Sequence, residues 1–268
     1  MTAAVAALVV TFHTGPRLME CLYALKSDPA ISEIVIADNG NPAPVQTWLD
    51  GFVASAPGKA KLIRLDNPGF GAAVNRAARE TSASQLLVIN PDCVIRRGSV
   101  QQLAAALEGA PAPAITGGRI FGLDGKEQRG ARRNTLTLAA ALGIARWTLE
   151  TEPLPDRPIA VGAISGAFFM MPHADFDSLG GFDEGYFLHV EDVDLCRRAL
   201  EAGGSVIFQP HAGALHYSST SDVPSRTVQR HKARSLARYF RRFSKGPMER
   251  ICVELAVPFI GLALKVRR

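Results

Sequence analysis

The chain has 268 residues, 47% hydrophobic and 21% charged, enough apolar material for a sizeable core and too little charge for disorder. The net charge is +5, a balance that suits anionic partners, but the excess is local: between Arg226 and Arg250 there are nine Lys/Arg and a single acid, Glu249. Four scattered cysteines without a CxxC pair argue against a zinc site or a disulfide framework and for reduced thiols.

The N-terminal "MTAAVAALVVTFHTG" is apolar but has no basic n-region, so a secretory leader is not expected. It contains the first expected strand, "VAALVVTF", a continuous apolar run of the kind buried on both faces. A helix from Pro16 to Lys26 follows. Then come strand "EIVIAD", helix "VQTWLDGFVA", strand "AKLIRL", helix "GAAVNRAARE" and strand "SQLLVIN". This alternation predicts an α/β fold with a parallel sheet and right-handed crossovers. In the middle, "AITGGRIF" and "IAVGAISGAFFMM" are expected as strands, with "NTLTLAAALGIARW" as a helix between them, preceded by Arg132 and Arg133. "EDVDLCRRALEAG" is expected as a helix ended by Gly203 and Gly204, and "SVIFQP" as the last strand. From Pro224 onward the pattern is helical and basic. The longest late apolar run, 251–264, is too short to span a bilayer and is interrupted by Glu254 and Pro258.

Ligands in open α/β sheets bind beyond the carboxyl ends of the strands. Four consecutive strand ends here are polar: Thr11 to Gly15, Asp38 to Asn41, Asp66 to Gly71 with Asn75 one turn on, and Asn90-Pro91-Asp92. One such end would be ordinary turn chemistry; four on one rim point to a polar cleft. The Gly69-Phe70-Gly71 turn could bring backbone N–H groups to a phosphate. Asp38 could accept hydrogen bonds from a base or ribose, and Asp92 could reach a divalent cation. His216 follows the expected last strand; a lone histidine is more often structural, and His211 competes with it.

In the helix starting near Glu191, offsets of three, four and seven place Asp192 with Leu195, Cys196 and Ala199 on the apolar face. Asp194 faces Arg197 and Arg198, an expected solvated ion pair. Acids suit a helix N-terminus, but that does not explain an acid opening the apolar face. A partly desolvated carboxylate at a cleft is a candidate general base.

Together "VVTFHTG", "IVIADNGN", "DNPGFGAAVNRAA", "LLVINPDC", "GAISGAFFMMPHADFDSLGGFDEGYFLHVEDVDLCRRALEAGG" and "ALHYSSTS" resemble the family 2 glycosyltransferases, in particular the bacterial rhamnosyltransferase-like members of surface-polysaccharide synthesis. The resemblance covers most of residues 4–221. It implies a GT-A fold, a Rossmann-like and mostly parallel sheet flanked by helices. It implies a nucleoside-diphosphate sugar bound near Thr11, His13, Asp38, Asn67, Gly69, Gly71, Asn75 and Asn90. It implies Mg²⁺ or Mn²⁺ held by Asp92 and His216, Asp192 as the base, and Glu191 near the acceptor or favouring the helix start. Asn90 replaces the first acid of the family's DxD motif, and His13 stands where Asn is frequent.

The implied activity is inverting sugar transfer, from dTDP-rhamnose or another donor such as UDP-galactose, UDP-glucose or UDP-N-acetylglucosamine, to a glycan or lipid-linked glycan; a non-catalytic nucleotide-sugar-binding scaffold is the rival. The expected organisation is a catalytic domain at 1–223 and a basic helical extension at 224–268, either packed or lying on a membrane surface. A cytoplasmic chain, peripheral on the inner face of the membrane, fits that reading. Nucleic acid is not expected as a partner, because no binding motif for it is present.

Overall fold

The computed structural model describes residues 3–217 and 224–266. The expected boundary at 223 and the 218–221 end of the "ALHYSSTS" match lie outside the described residues.

The first half alternates as the sequence predicts. Strands β1 (Val5–Thr11), β2 (Glu33–Asp38), β3 (Ala60–Arg64) and β4 (Gln85–Ile89) alternate with helices α1 (Arg17–Ser27), α2 (Ala43–Ala54) and α3 (Phe70–Arg79). All seven residues of β1 are buried, because its sheet is covered on both faces. β1 pairs in parallel with β2 and β4, and β2 with β3. The registers align their carboxyl ends: Thr11 lies opposite Asp38, and Asp38 opposite Arg64. Helix α3 is rich in alanine, and Ala73, Val74, Ala77 and Ala78 form its buried face.

Next come β5 (Cys93–Ile95), α4 (Ser99–Leu107), β6 (Ala114–Phe121), β7 (Arg132–Arg133) and α5 (Leu138–Leu142). They are followed by β8 (Ile159–Ala160), β9 (Ala163–Ile164), β10 (Phe168–Pro172), α6 (His173–Ser178), α7 (Glu191–Glu201) and β11 (Ser205–His216). Among the described residues the main sheet has nine strands, in the order β3-β2-β1-β4-β10-β6-β11-β5, with β8 also on β11. Six strands share one direction; β5, β8 and β10 oppose them.

Two middle expectations fail for packing reasons. "IAVGAISGAFFMM" is three strands, not one. A Cβ on Gly162 would lie 2.1 Å from the Thr135 backbone nitrogen, so another segment crosses there and the strand breaks. The expected helix over 134–147 shrinks to α5, capped by the Thr137 side chain and ended by Gly143 at φ 88°. β11 instead runs six residues beyond "SVIFQP", through a register shift between Gln209 and Gly213, so His216 is its last residue.

Two turns of chain matter for the cleft. β10 runs antiparallel to β4, with Phe168 opposite Ile89, so residues 165–167 enter at the same rim. The Asn90-Pro91-Asp92 turn reverses into β5, which pairs antiparallel with the end of β11, Cys93 opposite His216.

Helices α8 (Ser225–Phe243) and α9 (Pro247–Val266) close the chain. Helix α8 packs on the loop before α7: Ser235 Oγ donates to the Leu188 carbonyl at 2.9 Å, and the His231 ring stacks on Phe187 at 4.4 Å. Among the described residues no helix is long and apolar enough to cross a membrane.

Candidate active site

The end of β2 is a tight polar knot. Asp38 Oδ1 accepts from the backbone N–H of Gly40 (3.1 Å) and Asn41 (2.8 Å) and from the Asn41 amide (2.7 Å). The same amide reaches the Thr11 carbonyl at 3.2 Å, and Thr11 Oγ1 lies 3.0 Å from Thr14 Oγ1. The backbone N–H of His13, at φ 52°, donates to Asn41 Oδ1 at 2.7 Å. Asn39 Nδ2 donates to Asn67 Oδ1 at 3.4 Å. Asp38 Oδ2 and Asn39 Oδ1 are buried acceptors with no hydrogen-bond donor among the described residues. Such orphaned groups carry a desolvation cost that donors on a ligand would offset.

Three of the expected pocket residues turn out to hold the protein itself. Asn75 Oδ1 accepts from the Phe182 N–H at 2.8 Å, while its Nδ2 donates to the Phe182 carbonyl and to Glu184. Both ends of that amide are thus engaged by the 182–184 segment. A Cβ on Gly71 would stand 2.9 Å from Phe182 Cβ, and one on Gly69, at φ 101°, would stand 2.7 Å from the Phe187 carbonyl oxygen. The N–H of Phe70 donates to that same carbonyl at 3.0 Å. The glycines therefore admit the 182–187 loop.

At the end of β4, Asp92 Oδ1 lies 3.3 Å from His216 Nε2, and Asn90 Nδ2 lies 3.5 Å from the same nitrogen. His216 Nδ1 lies 2.6 Å from Gln128 Oε1, which orients the ring. One ligand atom each from Asp92, Cys93 and His216 falls within 4.8 Å of the others. One carboxylate and one imidazole on neighbouring strands suit a divalent cation. Burial, with the nearby Asp92 charge, raises the Cys93 thiol pKa well above the usual value.

Asp192 sits at the start of α7. Its Oδ2 accepts from Arg133 Nη2 at 2.6 Å and from the Gly166 N–H at 2.9 Å; its Oδ1 accepts from the Val193 N–H at 2.8 Å. Burial pushes its pKa up, but the Arg133 charge and hydrogen bond, with the two N–H donors, outweigh it and hold the pKa below the ordinary value. Arg133 also donates to the Ile164 carbonyl and stands over the Trp147 ring at 5.0 Å. Residue 133 was visible in the sequence only as one of two arginines before a helix.

The other two acids differ from expectation. Asp194 is not a solvated partner; it is wholly buried. Arg198 Nε donates to it at 2.5 Å, Tyr186 OH at 3.0 Å, and Arg242 Nε stands 3.4 Å away, because α8 covers this side of α7. Glu191 is 6% exposed, and its Oε2 has no hydrogen-bond partner among the described residues. Burial, then the Asp192 charge, raises its pKa to about 8. The chain reaches α7 through His189 (φ 68°) and Val190 (φ 74°). A left-handed valine is a genuine outlier, held here by the Phe187 and Leu188 contacts, and strain of this kind collects at functional sites.

The Glycosyl transferase family 2 model matches residues 7–179, well over half the chain. The chain belongs to glycosyl transferase family 2. It is 28% identical over 263 residues to the N-acetylglucosaminyl-diphospho-decaprenol L-rhamnosyltransferase of Mycobacterium tuberculosis, covering 87% of this chain and 83% of that protein. It is 35% identical over 77 residues to the Escherichia coli rhamnosyltransferase WbbL, 29% of each chain. In fold this glycosyltransferase is similar to GalNAc-T7, solved with UDP, GalNAc and Mn²⁺ (TM-score 0.72, 15% identity, 91% of this chain and 48% of that one). It is also similar to the Pyrobaculum calidifontis mannosyltransferase PcManGT, solved with GDP-Man and Mn²⁺ (TM-score 0.64, 16% identity, 99% and 75%). The present chain thus spans about half of the first of these structures. Both are GT-A enzymes, and the mixed sheet with its parallel first half is that fold.

Proposed function

We propose that this family 2 glycosyltransferase moves L-rhamnose, from dTDP-rhamnose, onto a hydroxyl of a lipid-linked glycan with inversion, Asp192 being the base. The observation that carries the mechanism is the adjacency of Gly166 and Ala167. The N–H of Gly166 holds the Asp192 carboxylate, and the Ala167 carbonyl accepts from the Asn90 N–H at 2.9 Å. Consecutive Cα atoms are only about 3.8 Å apart, so one short segment ties the candidate base to the Asn90-Pro91-Asp92 turn. The choice of rhamnose and of a lipid carrier rests on the 28% identity with the mycobacterial rhamnosyltransferase.

A carboxylate offers about four lone-pair positions. Three N–H donors occupy Asp192, two on Oδ2 and one on Oδ1. The remaining position on Oδ1 receives the acceptor hydroxyl. Its proton passes to Asp192 as the oxygen attacks the anomeric carbon, and the bond to the diphosphate breaks on the opposite face. A divalent cation held by Asp92 and His216 would neutralise charge on the leaving diphosphate. Asp38 Oδ2 and Asn39 Oδ1 accept from the nucleoside, with Thr11, His13 and Asn67 shaping that end of the cleft. Asn75, Gly69 and Gly71 act at one remove, by placing the 182–187 loop. Glu191, protonated near neutral pH, leaves Asp192 as the ionised member of the pair.

The test is transfer and donor binding over a panel of nucleotide sugars with Mg²⁺ and Mn²⁺. Asp192→Asn is expected to lower turnover by about 10²–10⁴-fold with donor affinity retained. Asp92→Ala is expected to lower metal-dependent donor affinity. Unchanged turnover in Asp192→Asn would sink the base assignment, and equal donor affinity with and without metal would sink the metal role. Preference for a donor other than dTDP-rhamnose would replace the sugar and leave the chemistry.

A further inference from the structure

We propose that the α8–α9 hairpin docks on an anionic lipid bilayer, with one face of α9 in the interfacial layer and an arginine row of α8 at the headgroups. Four large apolar side chains of α9 face outward: Met248 (79% exposed), Ile251 (60%), Leu255 (68%) and Phe259 (60%). Offsets of three, seven and eleven from Met248 put them on one face of the helix. The protein's own core does not need that face. Val253, Ala256 and Ile260, on another side of the helix, are the buried residues of α9 among those described. A contiguous apolar patch of this kind marks an interaction surface.

Charge identifies the partner. Arg230, Arg234 and Arg241 share a face of α8, at offsets of four and eleven, and all three are exposed. Arg241 donates to Glu254 of α9 at 2.7 Å through both Nε and Nη2. Glu254 directly precedes Leu255 and lies three residues past Ile251, so the row runs beside the apolar stripe. Arg230 and Arg234 have no carboxylate partner among the described residues. An apolar stripe flanked by arginines matches a bilayer with acidic headgroups. A second copy fits less well, since a two-fold contact through this stripe would bring one arginine row against the other. Helix α9 lies on such a surface rather than crossing it, consistent with its interrupted hydropathy.

The experiment is co-sedimentation of the full chain with vesicles of phosphatidylcholine alone and of phosphatidylcholine with phosphatidylglycerol, at low and raised salt. The wild type is expected to bind the acidic vesicles and to be released by salt. Leu255→Glu and Phe259→Glu, at exposed positions that leave the fold intact, are expected to lose more than about ten-fold in partitioning. Arg230→Gln and Arg234→Gln are expected to lose about five-fold each on acidic vesicles, and nothing on neutral ones. Absence of wild-type binding to acidic vesicles would overturn the inference, as would binding unaltered in the glutamate variants. So would a wild-type dimer in solution that Leu255→Glu dissociates, which would make the stripe an interface between copies. The inference does not rest on the donor or the base: a chain that binds vesicles but transfers no sugar leaves it standing and sinks the proposed function.

Discussion

Replacing Arg133 by methionine keeps an apolar stem of similar length and removes every donor that Asp192 receives from that side chain. Arg133 and Asp192 are 10% and 14% exposed at the side chain and meet at 2.6 Å. Removing one partner of a buried pair costs about 3–5 kcal/mol, because the other charge stays buried. Asp192 keeps the Gly166 and Val193 N–H donors, which favours the lower end, about 3 kcal/mol. At roughly 2–4 °C per kcal/mol for a chain of this size, the melting temperature at neutral pH should fall by roughly 6–12 °C. In the wild type the Asp192 pKa is depressed, so its stabilisation is present above the unfolded carboxylate pKa and is lost as pH falls through the folded value. In Arg133→Met, burial acts on Asp192 with only the Gly166 and Val193 N–H donors left against it, and its pKa rises. The gap between wild type and variant should therefore be widest near neutral pH and shrink on acidification, and the acid limb of kcat/KM should move upward. The lost bond to the Ile164 carbonyl adds a pH-independent part, which a double-mutant cycle with Asp192→Asn removes. Thermal melts across pH 4–8 with matched rate profiles make the measurement. A gap that does not change with pH, or an acid limb that stays in place, would refute the pairing.

Glu191→Gln should behave in the opposite sense. The folded-state pKa of Glu191 is about 8, against an ordinary value of 4.5, so native stability falls as pH rises through that interval. The amide, which cannot ionise, should melt higher than wild type at pH 7 by the equivalent of about 3 kcal/mol, with the advantage vanishing below pH 4.5; a constant difference from pH 4 to 8 would count against it. Asp194→Asn should lower the melting temperature by roughly 6–12 °C through the loss of a wholly buried charge facing Arg198 and Arg242. Donor affinity measured by calorimetry below the melt should stay unchanged, and a selective loss of donor binding would show that Asp194 belongs to the cleft.

The first four strands match the sequence expectation to within a residue at either end, since strands buried on both faces carry continuous apolar runs that turn residues interrupt. The rim was legible for the same reason: Thr11, Asp38 and the Asn90-Pro91-Asp92 turn follow directly from where those runs stop. The middle was not, because its limits are set by segments distant in the chain. Gly162 breaks a strand where Thr135 crosses, and Asn75 serves Phe182 across 107 positions. Arg133 reaches Asp192 across 59 positions, and nothing local to either residue predicts that contact. Asp194 shows the limit of helical phase. Phase correctly paired it with Arg198, but the covering contact comes from Arg242 on α8, so phase alone could not tell a solvated pair from a buried one.

The contrast among the three acids of α7 follows from what each one meets. Two adjacent buried carboxylates cannot both ionise cheaply, and one arginine is available to them. Arg133 and the Gly166 N–H reach Asp192, while Glu191 Oε2 finds no hydrogen-bond donor among the described residues. The proton that the pair retains below pH about 8 therefore sits on Glu191. Arg133 thus does more than orient Asp192: it selects which of two neighbouring acids carries the charge. In the proposed mechanism that selection decides which one accepts a proton from a bound hydroxyl, and it depends on the 133–135 segment lying across Gly162, where a Cβ would meet the Asn134 and Thr135 backbone.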